Sequence, residues 1–275
     1  MINFTKMQGL GNDFMVIDAI KQCIELSPQQ IKSLSDRHFG IGFDQLLLVE
    51  KPASENADFK YRIFNADGGE VAQCGNGARC FARFVRDKGL SDKNEIRVDT
   101  NAGELILKFT EDSQVMVNMG VPKHRPDQIP LLAKQESNNY MVVLNSEEYL
   151  FGAVSMGNPH AVLLVPDIKT APVTHIGQFL ESHPIFPERA NIGFMEVISR
   201  NQINLRVYER GAAETLACGS GACAAVVIGI EQHLLDHDVC VELPGGELKI
   251  SWSGRGTPVF MTGPAISVFE GRVQI

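Results

Sequence analysis

The chain has no excess of basic residues. Lys and Arg number 25 against 33 Asp and Glu, a formal net charge of −8. Nucleic acid and anionic membrane surfaces both demand basic patches, so neither is expected as a partner. Long apolar runs are missing too. The longest, near Ala222–Ile230, falls far short of the ~20 residues that a membrane span needs. Met1–Lys6 lacks a basic start followed by an apolar block, so no leader is expected and a cytoplasmic location is. Zinc-type spacing is absent. The cysteines stand at Cys23, Cys74, Cys80, Cys218, Cys223 and Cys240, without two-residue gaps or paired histidines, which argues against a metal. There is no Walker loop and no Gly-x-Ser-x-Gly. Gly9-Leu10-Gly11 and Gly40-Ile41-Gly42 lack the third glycine of a dinucleotide loop.

What the chain does have, it has twice. Cys74-Gly75-Asn76-Gly77-Ala78 answers Cys218-Gly219-Ser220-Gly221-Ala222, and each cysteine follows a glutamate by four positions, Glu70 and Glu214. The two cysteines lie 144 positions apart, as do those glutamates and the pair Asn65 and Glu209. Asn12 and Asn158, Gln45 and Asn191, and Glu50 and Glu196 are each 146 apart. A period near half the length is too long for a solenoid repeat and reads as two similar domains. With 275 residues, 44% hydrophobic and 21% charged, each half can bury its own core.

Short segments rich in branched or aromatic residues and bounded by Gly, Asn, Pro or Asp predict strands from Phe14–Ala19 through Val115–Asn118 in the first half. In the second half they run from Tyr140–Leu144 through Pro258–Thr262. Helices are expected over Pro28–His38, capped by Ser27 with Pro28 at the first position, and over Gly75–Lys88, closed by Gly89. Thr174–Glu181 and Gly219–Leu235 match them in the second half. Each half therefore reads as an α+β domain. The expected boundaries are 1–119 and 120–263, with 264–275, a strand-like tail, returning to complete the first domain. Cys80 and Cys223 lie inside helices among small apolar residues and read as packing, as do Cys23 and Cys240.

A helix start exposes unpaired N–H groups and the positive end of the helix dipole. A thiol there is biased toward thiolate, and a carboxylate is a natural guest. Two such starts suit proton abstraction next to a carboxylate. One cysteine removes the α-proton, the other returns a proton to the opposite face, and the N–H groups stabilise the developing charge. No cofactor is needed. The dipole supplies about 0.3–1 kcal/mol, and up to ~2 when partly buried. A full pKa unit takes about 1.4 kcal/mol. A partner must therefore help, and His160 and Glu209 are the candidates. The rival reading of the cysteine pair is a reversible disulfide switch.

Together with Gln8–Phe14, Asn65-Ala66-Asp67-Gly68, Gly157-Asn158-Pro159-His160 and Tyr208-Glu209-Arg210-Gly211, the two cysteine motifs resemble the diaminopimelate epimerase family over essentially the whole chain. The resemblance implies interconversion of LL- and meso-2,6-diaminopimelate in lysine and peptidoglycan biosynthesis, independent of pyridoxal phosphate. It implies two pseudo-symmetric domains, each a mostly antiparallel sheet wrapped on a central helix, with the site between them. By position, Cys74 and Cys218 would be the acid/base pair, tuned by His160 and Glu209. Gly75, Asn76, Gly219 and Ser220 would receive the reacting carboxylate. Asn12, Gln45, Asn65, Asn158, Asn191, Glu209 and Arg210 would bind the rest of the substrate, with Arg210 gripping the distal carboxylate. Proline racemase-like relatives should not need that arginine, and phenazine-pathway isomerase-like relatives lack the cysteine pair. The family's dimer contact would fall at Phe269, where many relatives carry tyrosine.

Overall fold

The computed structural model describes residues 1–71 and 74–275. It is a mixed α+β chain dominated by strands, with four α-helices among the described residues. It divides into two compact units, Met1–Asn118 with Thr262–Ile275, and Met119–Met261.

In the first unit, β1 (Ile2–Gly9) and β2 (Asn12–Asp18) form an antiparallel hairpin. Its two turn residues, Leu10 and Gly11, have φ of 58° and 85°, the type I′ geometry that matches strand twist. The Gly9-Leu10-Gly11 run is thus a hairpin turn. The helix α1 (Pro28–Ser35) carries the chain over to β3 (Gln45–Glu50), parallel to β2. Next come β4 (Phe59–Asn65), antiparallel to β3, and the short β5 (Glu70–Val71). After the helix α2 (Gly75–Asp87), β6 (Glu95–Thr100) lies parallel to β4, and β7 (Gly103–Phe109) and β8 (Val115–Asn118) follow antiparallel.

The second unit repeats this order. Its elements are β9 (Tyr140–Leu144), β10 (Glu147–Ser155), β11 (Pro159–Leu164), α3 (Val173–Glu181), β12 (Asn191–Ser199), β13 (Gln202–Glu209) and β14 (Ala213–Thr215). They are followed by α4 (Gly219–Glu231), β15 (Asp238–Leu243) and β16 (Gly246–Ser251). β11 runs parallel to β12 and β13 parallel to β15, while the other pairings are antiparallel. After β17 (Phe260–Gly263), β18 (Ile266–Val273) pairs antiparallel with β1, as β9 pairs with β10.

Each sheet is covered on both faces. In the first unit Ile31 and Leu34 of α1 pack with Phe4, Met15, Ile17, Leu46 and Leu48. In the second, Val173, Ile176 and Leu180 of α3 pack with Phe151, Leu163, Ile192 and Phe194. The opposite faces meet α2 and α4. The helix α2 touches β1, β2, β3, β7, β8 and β18, and α4 touches β10, β11, β12, β13 and β16. Strands from both ends of the run reach the same helix, so each sheet curls around it. The residues of α4 suit that place: from Gly219 to Ile230 it has no charged side chain, as a helix buried all round requires. In α2 the buried Arg79 donates its Nε to the Pro264 carbonyl at 3.1 Å.

Four expectations change. β1 is a full strand that the alternation did not announce, because Phe4, Thr5, Lys6 and Met7 are buried at consecutive positions between two covered faces. The first helix stops at Ser35, short of His38. Asp36 leaves helical conformation and its carboxylate accepts the His38 and Phe39 N–H groups at 2.7 and 2.8 Å. Cys23 is exposed in the loop after β2 and is no core residue. The last helix ends at Glu231, short of Leu235.

The ends of α2 and α4 show what each sequence could do with one requirement. Both close with paired bonds from the two residues past the helix cap: Gly89 to Arg86 and Leu90 to Val85, then His233 to Ile230 and Leu234 to Gly229. The first of each pair must be left-handed. In α2 it is Gly89 (φ 61°), in α4 it is His233 (φ 61°). A side chain in that region costs about 1–2 kcal/mol, partly offset by the greater unfolded-state freedom of glycine. His233→Gly is therefore expected to stabilise the chain by about 0.5–1 kcal/mol, measurable by equilibrium chemical unfolding.

Candidate functional site

Cys74 and Cys218 occupy the same place in the two units, the residue just before the first turn of α2 and of α4. Both have extended backbone there (φ −144°, ψ 122° and φ −113°, ψ 104°), and neither helix receives a side-chain cap. The positive end of each helix dipole therefore lies beside the cysteine. Two features hold each thiol in place. The first is a strand clamp. Arg62 of β4 grips Glu70 of β5 with two bonds of 2.8 and 2.9 Å, and Arg206 of β13 grips Glu214 of β14 with 2.6 and 2.9 Å. The glutamates flagged by the duplication are thus anchors for the strand leading to each cysteine. Pairs this exposed contribute about 1 kcal/mol or less, so their value is placement. The arginines also lie 144 positions apart, a further pair in the same register.

The second feature is the second glycine of each motif. A Cβ on Gly77 would lie 2.5 Å from the Tyr61 hydroxyl oxygen, and one on Gly221 would lie 3.0 Å from Val207 Cγ2 and 3.2 Å from Cys218 Sγ. A side chain at Gly77 would collide with Tyr61, and one at Gly221 would press on Val207 and Cys218, so both glycines suit the close approach of helix to strand. Tyr61 in turn donates to the Cys74 carbonyl at 3.4 Å.

Around Cys74 the groups are neutral amides. The Asn12 Oδ1 atom lies 3.8 Å from Cys74 Sγ and 3.4 Å from Asn76 Nδ2. The Asn12 Nδ2 atom donates to Asp44 Oδ2 at 2.8 Å. Gln45 and Asn65, on adjacent strands in direct register, join through Gln45 Nε2 and Asn65 Oδ1 at 2.9 Å. The Gln45 Oε1 atom is buried without a hydrogen-bond partner among the described residues. The arrangement brings Asn12, Asn76 and Cys74 into one cluster, with Gln45 and Asn65 as a second pair.

Cys218 is in different company. It is buried, with a 3.7 Å contact from Sγ to Ser220 Oγ. Burial pushes its thiol well above the usual range. Glu209 adds to that rise through its charge and by accepting the thiol proton, and bonds from Ser220 and the Gly221 N–H only partly offset it. The thiolate bias of a helix start is outweighed here, and the resting form is the thiol. Glu209 is held by Thr215, whose hydroxyl donates to its Oε1 at 2.5 Å. His160 is fully buried, and its Nε2 meets Asn158 Oδ1 at 3.0 Å. Desolvation, with the nearby Arg210 charge, lowers its pKa to about 3, so the ring is neutral at any working pH.

Asn191 ties the remaining residues together. Its Oδ1 accepts the Arg210 N–H at 3.0 Å and its Nδ2 donates to the Pro159 carbonyl at 3.3 Å. The Arg210 side chain is exposed, with Nη1 on the Glu188 carbonyl at 2.9 Å. The turn that presents it is fixed by buried Glu181, which accepts the Gly211 N–H at 3.0 Å. Asp44, Thr215 and Glu181 have no counterpart in the sequence expectations. They act through other residues and belong to no duplicated pair. No group of three or more His, Cys, Asp or Glu side chains that could hold a metal occurs among the described residues. No helix among them is long and apolar enough to cross a membrane.

Comparison with known proteins agrees with this architecture. A crystal structure of a phenazine biosynthesis protein of the PhzF family from Bacillus anthracis superposes with a TM-score of 0.71 at 18% identity, covering 100% of this chain and 99% of that one. A hydroxyproline epimerase from Agrobacterium vitis, solved with bound trans-4-hydroxy-L-proline, gives 0.70 at 14% identity, over 98% and 91%. These share the fold. The curated diaminopimelate epimerase of Nitrosomonas europaea is 58% identical over 274 residues, 100% of this chain and 99% of that protein. The diaminopimelate epimerase family model matches residues 4–125 and 152–268. With both cysteine motifs inside the matched segments, the chain belongs to the diaminopimelate epimerase family.

Proposed function

We propose that this protein is an isomerase that interconverts LL- and meso-2,6-diaminopimelate through two cysteines, without a cofactor, in lysine and peptidoglycan biosynthesis. The observation that carries the reading is the repeated helix-start thiol, Cys74 donating to Asn12 Oδ1 and Cys218 in contact with Ser220 Oγ under the influence of the Glu209 charge. The 58% identity to a diaminopimelate epimerase supports the substrate.

In this reading the two units, with boundaries near 119 and 263 and the tail 264–275 joined to the first, act as paired epimerase domains. One cysteine, as thiolate, takes the α-proton. The other, as thiol, gives its proton to the opposite face of the same carbon, and the roles exchange in the reverse direction. The first-turn N–H groups after Gly75, Asn76, Gly219 and Ser220 receive the reacting carboxylate, where negative charge develops. A thiol pushed up as Cys218 is fits the donor role, and Glu209 is placed to share its proton. Neutral His160 orients Asn158 rather than carrying charge. Asn12, Gln45, Asn65, Asn158 and Asn191 supply amide contacts to the second amino-acid centre, and the unsatisfied Gln45 Oε1 is suited to an ammonium group. Exposed Arg210 suits the distal carboxylate. A cytoplasmic homodimer fits the same reading. In β18, Ile266, Val268 and Phe269 are exposed, with the Phe269 ring set edge-on to Phe4 at 6.0 Å.

The chain under reductant, with no cofactor added, is expected to exchange solvent deuterium into the α-carbon of LL-diaminopimelate. Cys74→Ala and Cys218→Ala are each expected to abolish epimerisation, and near-normal turnover in either would rule out the two-base scheme. Removing the Glu209 charge removes a cause that raises the Cys218 pKa. In Glu209→Gln the Cys218 thiol should therefore ionise at lower pH, read from the cysteine 13Cβ shift during an NMR titration. An unmoved or raised midpoint would contradict the assignment of Glu209.

A further inference from the structure

We infer that Asp44 is a positioning residue that turns the Asn12 carbonyl onto the Cys74 thiol and so holds Cys74 protonated in the ligand-free chain. The inference rests on the reading of Cys74 as an acid/base residue, and concerns a group that touches neither sulfur nor substrate.

The argument starts from donors and acceptors. An asparagine amide has two ends of nearly equal shape, and its direction is set by its neighbours. A carboxylate can only accept. Asp44 Oδ2 lies 2.8 Å from one end of the Asn12 amide, so that end must be the NH2 group. The other end, which faces Cys74 Sγ at 3.8 Å and Asn76 Nδ2 at 3.4 Å, must be the oxygen. An oxygen toward sulfur can bond a thiol, S–H donating, and is repelled by a thiolate. The direction of this amide thus weights Cys74 toward the thiol.

Asp44 is itself held firmly. Its Oδ2 also accepts the Asp13 N–H at 3.1 Å, and its Oδ1 accepts from Arg37 Nη2 at 2.7 Å. Arg37 binds both oxygens of Asp13 at 2.9 Å, and Asp13 accepts the Asp44 N–H at 2.9 Å. Lys6 completes the group, donating to Asp13 Oδ2 at 2.6 Å and to the Gly42 carbonyl. Burial opposes ionisation of Asp13, but the bonds from Arg37 and Lys6 win and bring its pKa down to about 2. Asp13 therefore stays charged across the working pH range. Nothing matches it in the second unit, where Ala190 stands at the offset that pairs Gln45 with Asn191 and the thiol faces Glu209 instead. The two half-sites use unlike devices toward the same end.

The test follows both thiols in one sample of the whole chain labelled with 13Cβ-cysteine. In Asp44→Ala the Asn12 amide loses the carboxylate that holds its NH2 end and can turn that end toward sulfur at the cost of the bond from Asn76 Nδ2. The midpoint of the Cys74 titration is then expected to fall by roughly half to one pH unit, the weight of one neutral hydrogen bond, while that of Cys218 stays where it is. Asp44→Asn, isosteric and able to donate, should shift Cys74 in the same direction by less. Should Asp44→Ala fail to fold, Asp44→Asn alone decides. An unchanged Cys74 midpoint in a folded variant, or equal movement of both thiols, overturns the proposal. Because the readout needs no turnover, it is separate from whether diaminopimelate is the substrate.

Discussion

The approach of a glycine-faced helix to a strand is the contact on which the rest depends. Gly77 against Tyr61 and Gly221 against Val207 bring α2 and α4 hard onto the strands that precede them. That depth fixes where the helix begins, and the residue before its first turn is the cysteine. Arg62–Glu70 and Arg206–Glu214 fix the incoming strand from the other side. The N–H groups beside each cysteine have no side-chain cap, which is the condition for receiving an anion.

Equal placement has not produced equal chemistry. Cys218 is buried, with its pKa raised by burial and by the Glu209 carboxylate, while Cys74 is half-buried and faces an amide oxygen. Position 65 is Asn where position 209 is Glu. In a low-dielectric site a carboxylate near a thiol strongly favours the protonated sulfur, and an amide oxygen favours it only by one weak bond. A reaction that inverts a centre needs one sulfur to give and one to take. The two units share one topology at this point and differ in the side chains that face the sulfur.

The thiols at helix starts, the paired offsets and the α+β pattern were all legible, because a repeat of 144 to 146 positions is visible without knowing any contact. β1 was not. Its alternation is erased by helices covering both faces, which buries Thr5 and Lys6 beside Phe4 and Met7. The end of α1 was missed because Asp36 captures N–H groups two and three residues on, competing with the helix for them. Asp44 and Thr215 were invisible because each acts on a residue 32 or 6 positions away, through a contact that only folding creates.

The sequence by itself determined that two cysteines head two helices and that each carries its own approach of glycine. Those are properties of neighbouring residues, and local backbone chemistry reads them directly. Only the tertiary structure decided which thiol meets a carboxylate, which amide points its oxygen at sulfur, and that the paired glutamates are anchors. The physical reason is that a proton's preference depends on burial and on partners brought from distant strands, and neither is written in the spacing of a motif.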